Sequence, residues 1–187
     1  MHAAGRRLNN MSKTSLTREL RTMEKDQLIE IILQAYSAGK ETKEYFDFFV
    51  DPNPEGMYKK YSDLIVKEFS RVKRGHRTKA RISVIKGIIK KFMSFEPGAE
   101  YVTELYLHAI SHALETEKNI YFTETLSNGI KKLTTEAFTY SDRHGTARLF
   151  LNGIENVVKA EKGTKYFRRM IRDCVADSLN GAENVSK

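Results

Sequence analysis

Apolar residues along this chain recur at intervals of three and four, and no useful run alternates apolar with polar. Leu28, Ile31, Ile32, Ala35 and Tyr36 stand at i, i+3, i+4, i+7 and i+8, which is one stripe of an amphipathic helix. Leu16, Leu20 and Met23 predict a shorter helix before it, over about residues 15–21. Between the two, Gln27 lies three residues after Glu24, as in a capping box. Gly39 reads as the stop of the second helix, because glycine enters the left-handed conformation without a Cβ clash. Tyr45, Phe46, Phe48 and Phe49 then crowd a segment ended by Pro52 and Pro54. With Lys43 as the one nearby interleaved base, the segment reads as a bulky core helix rather than a stacking platform for bases. Tyr58, Tyr61, Leu64, Ile65 and Phe69 mark a further helix.

The segment RVKRGHR reads as a loop, and about residues 78–93 as a helix. In that helix Ile82, Ile85, Ile89 and Phe92 form the inner face with Ile88 beside them, while Lys79, Ser83, Lys86 and Lys90 face outward. Arg81 falls within the apolar sector, where its stem packs and its head reaches out. Helices follow over about residues 99–117, 120–140 and 146–161, with a polar turn at 141–145, and Thr164 caps a last helix that carries Phe167, Met170, Ile171, Cys174 and Val175. The pattern therefore predicts an all-α fold of about eight helices. Short loops imply antiparallel neighbours in a single domain over residues 11–180, and helix pairs of this length can stack as an α-α superhelix. Residues 1–10 are expected to be a disordered leader and residues 181–187 a disordered tail.

Charge changes this picture. The 187 residues carry a net +8. Residues 71–91 hold nine Lys or Arg and no acid, which leaves the rest of the chain at −1. The protein is thus nearly neutral with one cationic element. The single cysteine, Cys174, excludes an internal disulfide and a cysteine-built zinc site and suits a reducing cytoplasm. The longest apolar runs are far too short to span a bilayer, so no membrane is expected as a partner.

Three constellations bear on chemistry. Glu104, His108, His112 and Glu115 share one helix face, and two histidines at i and i+4 can share a metal. The zincin pattern is absent because Ala109 follows His108, and Glu-x-x-His is not repeated on a second helix. Ser141, Asp142 and His144 supply the residue types of a catalytic triad, but such members normally converge from separated positions, and here they read as a polar turn. Cys174 sits on an apolar face and reads as packing. Neither a Walker A sequence nor GxGxxG occurs, and nothing calls for a cofactor. The third constellation is the cationic element, a footprint for phosphates. Its candidate contacts are Arg74, Arg77, Lys79, Lys86 and Lys90. The competing readings are a solvated face, or neutralisation within the fold by acids such as Glu24, Asp26, Glu30, Asp47 and Asp51.

MSKTSLTREL and RTMEKDQLIEIILQAY, followed by KEYFDFFVDP, resemble the opening of a family of small all-helical bacterial proteins known only as a domain of unknown function. The resemblance is best over residues 11–51 and extends loosely to SVIKGIIKKF. It implies a cytoplasmic bacterial protein with an all-α fold, supplies no catalytic residue, and makes Met11 the family-like start. The expectation is a non-enzymatic binding module that docks nucleic acid or another polyanion through residues 71–91. The alternatives are a protein–protein scaffold and, behind it, a metal-dependent enzyme using His108 and His112.

Overall fold

The computed structural model describes residues 12–73 and 77–185. The chain divides into two compact units, Met1–Asp51 and Pro52–Lys187. The described residues form nine α-helices and one two-stranded ribbon, so the fold is all-α as the periodicity predicts.

The first unit holds α1 (Lys13–Leu20), α2 (Lys25–Ala38) and α3 (Lys40–Val50). Ser12 caps α1, its Oγ accepting from the Ser15 amide at 3.2 Å. The capping box before α2 is formed, with the Glu24 amide donating to Gln27 Oε1 at 3.1 Å. Gly39 does end α2, but not in the left-handed region. Its φ of −166° and ψ of 150° are extended, and its carbonyl accepts the first bond of α3 from Lys43 N at 3.0 Å. α2 and α3 pack on each other, and Tyr36 OH donates to Asp47 Oδ1 at 2.9 Å. None of the three helices contains a buried residue. The reading of Tyr45–Phe49 as a core helix is therefore overturned. Aromatic density reports an apolar surface, whereas burial needs neighbours on more than one side, and within this unit α3 packs against α2.

The second unit runs α4 (Pro54–Phe69), β1 (Val72–Lys73), β2 (Arg77–Thr78), α5 (Ile82–Met93), α6 (Ala99–Glu117), α7 (Glu124–Arg143), α8 (Ala147–Lys159) and α9 (Lys165–Val185). Asn53 caps α4 by accepting from Gly56 N at 2.8 Å, and Pro54 takes the first turn, where a missing N–H costs nothing. α6 is the centre of the unit, packed against α4, α5, α7, α8 and α9. Leu105, Ala109, Ile110, Ala113 and Leu114 on it are fully enclosed. Burying one large apolar side chain of this kind stabilises by about 1.5–3 kcal/mol. α5 enters the core with Ile85, Ile89 and Phe92, the face its spacing predicts. It approaches α7 at Gly129, where an added Cβ would fall 2.9 Å from the Ile82 side chain. α7 is capped by Thr123 and continues through Arg143, so residues 141–143 are helical and the turn shrinks to His144 and Gly145. No described helix is long and apolar enough to cross a membrane.

Candidate polyanion interface

Where the sequence reads as loop, the described residues between α4 and α5 include an antiparallel ribbon in which Val72 pairs with Thr78 and Lys73 with Arg77. β-branched Val72 and Thr78 suit a strand and flank Gly75 symmetrically, which is the signal that a reading by helical periodicity passes over.

Glu68 roots this ribbon. It lies in the last turn of α4 and is 7% exposed. Arg71, at the foot of the outgoing strand, donates through Nη1 to its Oε1 at 2.9 Å and to its Oε2 at 3.0 Å. Arg81, on the returning side and at the N-cap of α5, donates to Oε1 from its backbone N at 2.9 Å and from Nε at 3.2 Å. The two feet are also tied by the Lys79 amide, which donates to the Arg71 carbonyl at 2.6 Å. Burial pushes the Glu68 carboxyl upward, but hydrogen bonds from Arg81 and Arg71 outweigh it and hold the group below its usual range. A buried carboxylate with this many donors remains ionised and fixes the geometry of both arginines.

The five predicted contacts divide. Lys79 and Lys90 are exposed and have no carboxylate partner among the described residues. Lys86 is half-buried and its Nζ is bonded to Glu136 Oε1 of α7, so its charge is already answered. Arg77 belongs to β2, and Arg74 lies outside the described residues. Neutralisation within the fold thus occurs, through Glu68 and Glu136. Glu68 stands three residues before Arg71, a spacing visible in sequence. Glu136 is 50 residues from Lys86, and nothing local points to it.

The other constellations resolve differently. His108 and His112 stack with ring centroids 6.2 Å apart in the seam between α4 and α6, with Tyr58 edge-on to the first and Phe69 edge-on to the second. His112 Nδ1 is 3.3 Å from Glu115 Oε2, and the other Glu115 oxygen takes Lys162 Nζ. That hydrogen bond from Lys162 holds the Glu115 carboxyl below its usual range. Glu104 is exposed. Among the described residues no group of three His, Cys, Asp or Glu is placed to hold a metal ion. His108 Nε2 is buried without a hydrogen-bond partner, and burial, aided by the neighbouring His112, pushes its pKa down. Ser141 is fully buried and donates to the Ala137 carbonyl at 2.8 Å, in a hydroxyl group cluster with Thr103 and Thr146. His144 is exposed and stacks on Tyr140 at 4.2 Å. The serine therefore faces inward while the histidine faces out, and no triad forms from them. Cys174 is half-buried, and burial raises its thiol pKa, which disfavours the thiolate a nucleophile needs.

A family model matches residues 11–172 and is described as a family of unknown function, DUF6155. No curated protein and no solved structure matches the chain.

Proposed function

Because the chain belongs to DUF6155, a family of unknown function, we propose from its own geometry that it is a non-enzymatic binding module which docks a polyanion, nucleic acid in particular, through residues 71–91. The observation that supports this reading is the division of labour among the cations. Arg71 and Arg81 are held on buried Glu68 and anchor the ribbon, while Lys79 and Lys90 stand exposed without a carboxylate partner among the described residues. Anchoring cations fix a direction, and unanswered cations are free to neutralise phosphates and release the counterions condensed on them. Lys79 before α5 and Lys90 on its outer face are held in fixed register, with Lys86 and Lys90 one helical turn apart. Lys86 contributes less than the sequence suggests, because Glu136 already holds it. Among the described residues no base-reading element accompanies these charges, so the binding is expected to be largely independent of sequence.

The test is fluorescence anisotropy with duplex DNA and with single-stranded RNA, comparing the native chain with Lys79→Glu/Lys90→Glu. Charge reversal of two contacts should weaken binding at least tenfold on whichever nucleic acid is bound. Affinity that is unchanged by the double reversal, or absent at low salt, would defeat the reading.

A further inference from the structure

The α2–α3 pair carries more apolar surface than its own packing uses. At roughly 100° per residue, the arc on α2 from Ile31 through Leu28 and Ile32 to Leu33 spans about 200°, whereas the stripe that one packed neighbour covers is roughly 100° wide. Leu28, Ala35 and Tyr36 on that arc are half-buried, and Tyr36 reaches Asp47 and Phe46 of α3. Ile29, Ile32 and Leu33 are 45%, 46% and 59% exposed, and at the end of α3 Phe49 and Val50 are 70% and 79% exposed. Surface of this kind, with no buried residue in α1, α2 or α3, is the mark of an interface.

We infer that the exposed arc of α2, together with Phe49 and Val50 at the end of α3, pairs with the same surface of a second copy of this chain, the two α2 helices running antiparallel about a two-fold axis. Two observations select a second copy as the occupant. The first is area. The five side chains leave on the order of 500 Å2 of apolar surface in water, taking roughly 150–200 Å2 for each large side chain. Apolar atoms make up just over half of the roughly 800 Å2 that each partner contributes to a stable complex, so the patch matches what a dimer requires. The second is charge. Lys25 stands at the N-terminal end of the arc, exposed. In an antiparallel pair it meets the C-terminal end of the other α2, where Tyr36 OH holds the Asp47 carboxylate. A self-complementary patch closes with one contact made twice, which is the form that two-fold dimers take.

Sedimentation velocity on the full chain across a concentration series tests this. The native chain should show twice the monomer mass, and so should Tyr166→Glu, a control at an exposed position on α9. Ile29→Glu/Leu33→Glu should show the monomer mass with its helical circular dichroism kept. Lys25→Asp should shift the equilibrium toward monomer, and adding Asp47→Lys should shift it back. A native chain that is monomeric at every concentration overturns the inference, and would mean that the arc is covered by another protein or by the chain itself. A double Glu variant that stays dimeric overturns it too, because the contact would then lie elsewhere.

Discussion

Glu68 does two things that oppose each other for binding. It neutralises two arginines, and through them it fixes the chain on either side of exposed Lys79. Its folded-state pKa lies below the usual value near 4.5, so it contributes stability above that pH, and the contribution is lost as the pH falls through the lower folded value. Glu68→Gln should therefore destabilise by about 1–3 kcal/mol at neutral pH, the cost of leaving charged donors short of their acceptor. The variant should also show a flatter stability profile below pH 4.5. Urea denaturation across that range checks both. His108 has the same sign for a different reason. Burial holds its folded-state pKa below the usual 6.5, so the unfolded chain binds the extra proton first and stability falls as the pH drops below that value. The groups that bear on it are His112 and Glu115 on its own helix and Tyr58, Asp63 and the Ser62 carbonyl on α4. His108→Gln should remove most of the decline between pH 7 and the folded-state value, read by the same denaturation series.

At the scale of the element, two glycines that look alike in sequence part company. Gly39 and Gly163 both read as helix stops. Gly163 has a φ of +74°, and a Cβ there would lie 3.0 Å from the Leu114 carbonyl oxygen. Gly39 is extended, with nothing within 4 Å of an added Cβ. Gly163→Ala should lower stability by about 1–3 kcal/mol, the cost of a left-handed non-glycine residue. Gly39→Ala should be neutral or raise it by about 0.4–1 kcal/mol, by restricting the unfolded chain. Thermal unfolding of the two variants separates these outcomes. What is legible in a sequence follows the same division. α6 is read to its ends because its apolar positions repeat at helical spacing along its length and enter the core from Val102 to Leu114. The inner face of α5 is read because Ile85, Ile89 and Phe92 repeat at helical spacing. The ribbon is not legible because two residues per strand are too few to set a period, and its stability comes from Glu68 and the Arg71 carbonyl rather than from its own pattern. The exposure of α3 was missed because a dense aromatic run states what would be buried, not whether a neighbour exists to bury it. The pairing of Lys86 with Glu136 joins two helices and has no local signature.

For the whole molecule, the distribution of charge is the organising feature. The net charge of +8 is carried by one element against a near-neutral remainder, and inside that element Glu68 and Glu136 have already answered Arg71, Arg81 and Lys86. Arg74, Arg77, Lys79 and Lys90 are the four proposed phosphate contacts, of which Lys79 and Lys90 are exposed without a carboxylate partner among the described residues. The most direct measurement is the salt dependence of nucleic-acid affinity for the native chain and for Lys79→Glu/Lys90→Glu. With four phosphates neutralised on duplex DNA, log K against log salt should fall with a slope of about −3.6, and the double reversal should bring it to about −1.8 or shallower. A slope near zero in the native chain, or one that the double reversal leaves unchanged, would contradict the account.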